Sequence, residues 1–396
     1  MEVPLTARPR WAIPVVALAL FAITAAVNLQ YPLYAAYMDA AGYGFGMRTA
    51  GFAVYVLGVV PMMAWCGGAS DAIGRKVPLL AALVAAGSSV AVMMVFPTAQ
   101  ALFAARLLQG VAVALCFGAG TACLAEWMGD ARRAAWWAAL TTSLGFGGGA
   151  LLTSVFARAG DLHPFSYPLV LALVLLAAVA MAALPGRPVA TPGASWLRLP
   201  CYPAGTVPYT IGIGLAWSVS GIILALAPHL LRSDGHAAWA GIGLFALCGM
   251  GAAVQVVPGV QPRSPALGVA IGAACSGLAL MLLGLGIALH APLLVVLAAA
   301  VAGASGFGFM YLAGLTAVAV AGGQRRSAAV SGFLLSAYIG FGGPCIVVGL
   351  LADRIDLLIA LATLGLPLVL ALAWVAWRVA RREPMDASGL ASSTLR

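Results

Sequence analysis

The chain has 396 residues, of which 63% are hydrophobic and only 8% charged, with a formal net charge of +9. Soluble domains are ~45 to 50% apolar, so this composition, with a mean hydropathy of +1.05, excludes a water-soluble protein and places the chain in a bilayer. The apolar runs are hydrophobic on every face and far longer than the ~10 alternating residues of a barrel strand, which excludes a β-barrel and leaves an all-α integral membrane protein.

A membrane-crossing helix takes about 20 residues. Twelve segments satisfy that length: 11–35, 50–67, 78–96, 99–125, 134–157, 167–184, 205–230, 238–257, 266–288, 292–321, 328–351 and 357–377. The first follows Arg8 and Arg10 but runs too far for the apolar core of a signal peptide, so it is read as helix 1. Its second half holds the densest polar and aromatic group of any span: Asn28, Gln30, Tyr31, Tyr34 and Tyr37, with Asp39 near the outer end. Gln30, Tyr34 and Tyr37 have the spacing of one helical face.

Between spans 2 and 3 lies GGASDAIGRK (67–76), an acid and two bases in an otherwise charge-poor region. Asp71 and Arg75 are four apart, so they pair if helix 2 continues through this point. Gly67, Gly68, Ala69 and Ser70 are small enough to admit another helix. Span 4 contains Arg106, a base in hydrocarbon that costs roughly 2.5 to 3.5 kcal/mol on insertion scales. Gln109 and Gly110 share its face, and Glu126 ends the span. An ionisable group at such depth is read as functional, binding an anionic group or tuning a proton-carrying site.

Span 5 contains LGFGGGALL (144–152) and span 11 contains IGFGGPCIV (339–347); an Arg pair precedes each, Arg132 with Arg133 and Arg325 with Arg326. A pattern repeated at half the chain length implies duplication into two six-helix halves. The Gly-rich pieces follow no strand and are read as close-packing helix faces, not phosphate loops. The seam is PGRPVATPGASWLRLP (185–200), with four prolines. The expected division is a bundle over 1–184, a cytoplasmic linker over 185–204, a second bundle over 205–378 and a disordered tail over 379–396. In the second half Trp217, Ser218 and Ser220 in span 7, Tyr311 in span 10, and Ser336 and Tyr338 in span 11 are the candidate cavity-lining residues.

The bases follow the membrane. With a cytoplasmic N-terminus, the inner segments carry Arg8, Arg10, Arg75, Lys76, Arg132, Arg133, Arg187, Arg198, Arg263, Arg325, Arg326, Arg378, Arg381, Arg382 and Arg396, against Arg48, Arg158, Arg232 and Arg354 outside. That is the positive-inside bias; it sets both termini in the cytoplasm and explains the basic balance without nucleic acid. Seven cysteines are scattered without a CxxC pair, and four histidines lie near span ends without ligand spacing. Neither set points to a disulfide frame, a metal site or a catalytic constellation.

The 67–76 stretch resembles the signature loop of the major facilitator superfamily, Gly-x-x-x-Asp-Arg-x-Gly-Arg-Lys. It matches at Gly67, Asp71, Gly74, Arg75 and Lys76 and departs at Ala72, where the family usually has a base. Arg106-Leu-Leu-Gln109-Gly110 resembles the family's second motif, Arg-x-x-Gln-Gly. The resemblance implies two six-helix bundles related by a pseudo-two-fold axis, working by alternating access. It implies a cytoplasmic gate of Gly67, Asp71, Gly74, Arg75, Lys76 and Glu126. Family members that exchange substrate for protons carry Gly-Pro in helix 5; here that place holds Gly147, Gly148 and Gly149, and Gly343-Pro344 falls in helix 11.

The expected function is proton-coupled efflux of a small amphipathic molecule, a drug or a metal-chelating metabolite, from a bacterial-type inner membrane. No enzyme activity and no cofactor beyond the proton gradient are expected, and the chain is expected to act as a monomer. The expected substrate contacts are Asn28, Gln30, Tyr31, Tyr34, Arg106, Gln109, Trp217, Tyr311 and Tyr338; the expected proton-coupling residues are Arg106, Asp39 and Glu126. A proton-linked importer of an organic solute remains the alternative. An integral membrane enzyme such as an acyltransferase is the remote one, and it lacks the required His, Asp or Cys constellation.

Overall fold

A computed structural model describes residues 9, 11–157, 162, 164–185, 195–197 and 199–381. Every regular element among them is helical: α1 (Ala12–Asn28), α2 (Tyr34–Ala40), α3 (Phe45–Cys66), α4 (Ala69–Ile73), α5 (Lys76–Val95), α6 (Ala99–Met128), α7 (Ala131–Phe156), α8 (Ser166–Ala183), α9 (Val207–Ser233), α10 (Trp239–Val256), α11 (Pro265–Ala288), α12 (Pro292–Ala302), α13 (Met310–Gly322), α14 (Arg326–Ala352) and α15 (Leu357–Ala380). Half of the expected linker (186–194 and 198) and nearly all of the expected tail (382–396) lie outside the described residues.

Among the described residues eleven helical runs are long and apolar enough to cross a membrane, and one of them, Pro292–Ala352, has 61 residues. At 1.5 Å per residue that run is about three times the thickness of the hydrocarbon core. It turns at Gly323, where φ is +47°, and so supplies two crossings. The total is twelve, as the sequence predicts.

The helix ends follow local chemistry. Thr98 caps α6 by accepting the Ala101 N–H, and Asp130 caps α7 by accepting from Arg132 and Arg133. Ser264 and Asp356 do the same for α11 and α15. Each satisfies donors that a helix start leaves open. The first crossing is not a continuous α-helix: Tyr31–Leu33 form a 3₁₀ turn with Pro32 inside it, because proline cannot donate to the helical ladder.

The chain divides into two compact units. Unit 1 comprises 1–43, 54–198 and 231–248; unit 2 comprises 44–53, 199–230 and 249–396. In unit 1, α1 packs on α5, α6, α7 and α8, and α5 packs on α6 and α8. In unit 2, α11 packs on α12, α13 and α15, and α14 on α13 and α15. The repeated glycine motifs act alike, each within its own unit. A Cβ at Gly145 or Gly149 of α7 would strike the backbone of α1 at Phe21 or Ala25, and one at Gly340 of α14 would strike the backbone of α9 at Gly214. The two motifs therefore mark matching helix crossings, the reading of close-packing faces taken from the sequence.

A labelling experiment checks the crossing order. A single cysteine at Ser195, in the linker, and one at Asp234, between α9 and α10, should react with a membrane-impermeant maleimide from opposite sides of sealed cells. Reaction of both from one side contradicts the path through α9.

Candidate functional site

The buried polar centre of unit 1 is built from α1, the 3₁₀ turn after it, α3 and α6. Gln30, Arg106 and Gln109 are all essentially inaccessible, with Arg106 only 2% exposed. Arg106 Nη1 donates to Gln109 Oε1 at 3.1 Å and to the Val27 carbonyl at 3.4 Å. Gln109 Nε2 donates to Gln30 Oε1 at 2.8 Å and to the Ala26 carbonyl at 3.4 Å.

These bonds fix both amide orientations. A guanidinium has donors only, so the Gln109 atom facing Arg106 must be its oxygen. The other end of Gln109 is therefore its NH₂, and the Gln30 atom that receives it must be an oxygen. That leaves Gln30 Nε2, a buried donor with no hydrogen-bond partner among the described residues. Leaving such a donor unsatisfied costs about 1 to 3 kcal/mol.

Aromatic rings enclose the guanidinium. Arg106 Cζ lies 4.7 Å from the ring centroid of Tyr55 and 5.6 Å from that of Tyr34; Tyr34 in turn meets Tyr31 edge-on at 5.8 Å. Tyr55 reaches this place because α3 and α6 cross closely at two glycines. A Cβ on Gly110 would collide with the Tyr55 carbonyl, and one on Gly58 would collide with the Leu107 carbonyl. Gly110 of the Arg-x-x-Gln-Gly motif is thus the residue that seats Tyr55 against Arg106.

Not every candidate in helix 1 joins this cluster. Asn28 donates to the Phe146 carbonyl of α7 at 3.3 Å. Tyr37, expected on the face of Gln30 and Tyr34, bonds instead to the Tyr167 hydroxyl at 2.8 Å and to the Leu162 carbonyl at 3.0 Å. Tyr34 and Tyr37 share the short helix α2, so the 3₁₀ turn before it moves them together, and it is the Tyr167 hydroxyl of α8 that engages Tyr37. Asp39 ends α2 and pairs with Arg232 at 3.2 Å, both substantially exposed.

The charged loop forms a second cluster of unit 1. Arg75 donates to Asp71, to Ser70 Oγ at 2.8 Å and to Glu126 Oε1 at 2.8 Å. Burial disfavours the Arg75 cation, but its hydrogen bonds to Glu126 and Asp71 outweigh this and raise its pKa above the ordinary value. The pairing does not use a continuous helix. The short α4 stops at Gly74, where φ is +89°, a conformation open to glycine; the turn swings Arg75 back over Asp71. Lys76 stands apart, donating to the Ala182 and Leu184 carbonyls at 2.6 and 2.7 Å, where it satisfies the end of α8. The loop glycines meet the linker: Gly68 N–H donates to the Trp196 carbonyl at 3.0 Å.

Unit 2 contains an aromatic cluster. Trp217 of α9 stacks on Phe307 at 4.6 Å and meets Tyr338 at 5.2 Å and Phe341 at 5.8 Å edge-on. Trp217 Nε1 donates to the Gly306 carbonyl at 2.9 Å. Phe307 sits in a π-helical turn, Gly303–Phe309, between α12 and α13. Such turns loosen the regular ladder, and side chains take up the carbonyls: Gln255 Nε2 bonds that of Phe307 at 2.8 Å, and Ser220 that of Ala302 at 3.4 Å. Tyr311 is not brought to Trp217; its ring packs on Phe333 at 6.2 Å. Ser218 bonds back to the Gly214 carbonyl of its own helix. Tyr55, Phe307 and Phe341 escaped sequence reasoning because each lies in an otherwise apolar span; GASGFGF was the one available signal.

Residues 16–343 match the sequence profile of the Major Facilitator Superfamily. No curated protein matches the chain by sequence. Among solved structures, the nucleoside transporter NupG is similar with a TM-score of 0.69 and 16% identity, over 93% of this chain and 98% of that one; a point mutant of the same transporter gives 0.72. The human organic anion transporter MFSD10 (TETRAN) gives a TM-score of 0.62 and 17% identity, over 95% of this chain and 100% of that one. At these identities the likeness is one of fold.

Proposed function

Since the chain belongs to the Major Facilitator Superfamily, a family of multi-pass membrane transporters and not of enzymes, we propose that it couples a proton gradient to export of a small amphipathic molecule bearing a hydrogen-bond acceptor. The observation that carries this reading is the leftover donor at Gln30 Nε2, whose amide is held by Gln109, itself bonded to Arg106. A buried NH₂ without a partner is retained at a cost in stability; an acceptor oxygen on the cargo recovers it.

In this reading both termini and the linker are cytoplasmic in a bacterial-type inner membrane, and Asp71, Arg75 and Glu126 form the cytoplasmic gate. Asp39, Glu126 and Arg106 are the proton-coupling groups, and the chain works as a monomer. Glu126 is the acid best placed to link protons to the gate, because protonating it removes one of the partners of Arg75. The second reading is proton-linked import of an organic solute, for which the nucleoside transporter NupG suggests a nucleoside as the compound to try.

The test is flux in proteoliposomes with norfloxacin, an aromatic zwitterion carrying a carboxylate, beside uridine. Norfloxacin should move against its gradient when protons flow the opposite way and stop when the pH difference is collapsed. Uridine moving in the same direction as protons, with norfloxacin unmoved, replaces export by uptake.

The gate makes its own prediction. Asp71→Asn or Arg75→Ala should slow norfloxacin flux severalfold while leaving its affinity within a few fold, because a gate shifts the balance between states by no more than its own energy difference. Strictly additive effects in the double variant contradict a functional pair.

A further inference from the structure

The last turn of α15 carries a feature unconnected with transport. Leu366, Leu370, Trp374 and Trp377 are all exposed, and with Arg381 they advance by three or four residues, so they form one stripe along the helix. Leu368, Leu372, Val375 and Val379 face inward and are buried. With 24 residues, α15 is about 36 Å long against a hydrocarbon core of about 30 Å, so the stripe passes from acyl chains at its leucines to the interface at its tryptophans.

Two guanidinium groups lie over those indoles. Arg378 Cζ is 5.3 Å from the Trp374 centroid, and Arg381 Cζ is 4.1 Å from the Trp377 centroid. Among the described residues no acid pairs with either. Two like charges three residues apart on one face repel, yet each stays over an indole ring at the same end of the helix. A positive-inside bias demands charge near the membrane but does not demand guanidinium groups placed over exposed rings. A stacked guanidinium keeps its edge N–H groups directed outward in the fork that suits a phosphate.

We propose that the end of α15 is a binding site for the phosphodiester headgroup of an anionic phospholipid, with Arg378 and Arg381 bonding the phosphate, Trp374 and Trp377 fixing their planes, and the leucine stripe receiving the acyl chain. The occupant is a lipid and not free phosphate because the bases continue an apolar, membrane-facing stripe.

The test uses the full chain purified in detergent and exposed to phosphatidylglycerol or phosphatidylcholine, with retained lipid read by native mass spectrometry. The wild type should retain phosphatidylglycerol preferentially. Arg378→Gln with Arg381→Gln should lower that preference by about tenfold, while Arg325→Gln with Arg326→Gln, an equal loss of charge elsewhere, should leave it unchanged. Trp374→Leu with Trp377→Leu, which keeps both charges, should also lower it. The proposal is overturned if the two arginine pairs act alike, if the tryptophan variant keeps full preference, or if soluble glycerol 1-phosphate displaces the lipid.

Discussion

Replacing Arg106 with alanine should leave a folded protein that has lost at least tenfold in norfloxacin flux. The side chain holds Gln109 through a charge-assisted hydrogen bond at 3.1 Å, and bonds of that kind contribute about 1.5 to 3 kcal/mol, or roughly ten- to a hundredfold in an equilibrium. Without it the Gln109 oxygen loses its donor, only the Nε2 bonds to the Ala26 carbonyl and Gln30 still orient the amide, and the Gln30 donor is held less firmly. The fold should tolerate the change better than the activity does, because deleting the base also removes the cost of keeping a charge in hydrocarbon. Arg106→Lys should restore only part of the flux: an ammonium keeps the charge but not the planar surface that lies against Tyr55 and Tyr34. Thermal melting beside flux separates the cases. An Arg106→Ala protein that unfolds, while its folded remainder transports normally, makes the residue structural.

Gly110→Val should act in the opposite order, destabilising first. Its side chain would be driven into the Tyr55 backbone where α3 and α6 cross, and helix contacts in membranes depend on small residues at such points. Overpacking of this kind costs about 1 to 3 kcal/mol or more. The expected outcome is a lower yield of folded protein, a melting point lower by several degrees, and weakened flux in what remains, since Tyr55 moves away from Arg106. Gly118 on the same helix has open space where its Cβ would be, so Gly118→Ala should leave melting and flux near the wild type. Equal melting points for Gly110→Val and Gly118→Ala contradict the crossing.

The sequence already contained the crossings, the loop triad and the Arg-x-x-Gln-Gly face, because each depends on composition or on spacing within one helix. Arg106 and Gln109 are three apart on α6, so their bond was legible in that sense. What escaped depends on other helices or on departures from regular geometry. Tyr55 reaches Arg106 from α3 only through the Gly58 and Gly110 crossing. Tyr37 is engaged by Tyr167, which lies on α8. Phe307 meets Trp217 through a π-helical turn that no apolar periodicity announces. The Asp71 and Arg75 pair was legible for an incomplete reason: the spacing is that of a helix, but the chain reaches the pairing through the left-handed turn at Gly74.

The most direct test of the Gln30 donor as a cargo-binding group is the affinity of Gln30→Glu for norfloxacin, measured beside its melting temperature. The substitution is nearly isosteric and keeps an oxygen for Gln109 Nε2; protonated it still donates, and ionised it replaces the leftover donor with an acceptor. Affinity should therefore fall by at least tenfold as rising pH ionises the carboxyl in a protein that still melts cooperatively, because a cargo oxygen would then face another oxygen. Unchanged affinity in a folded Gln30→Glu protein contradicts the site.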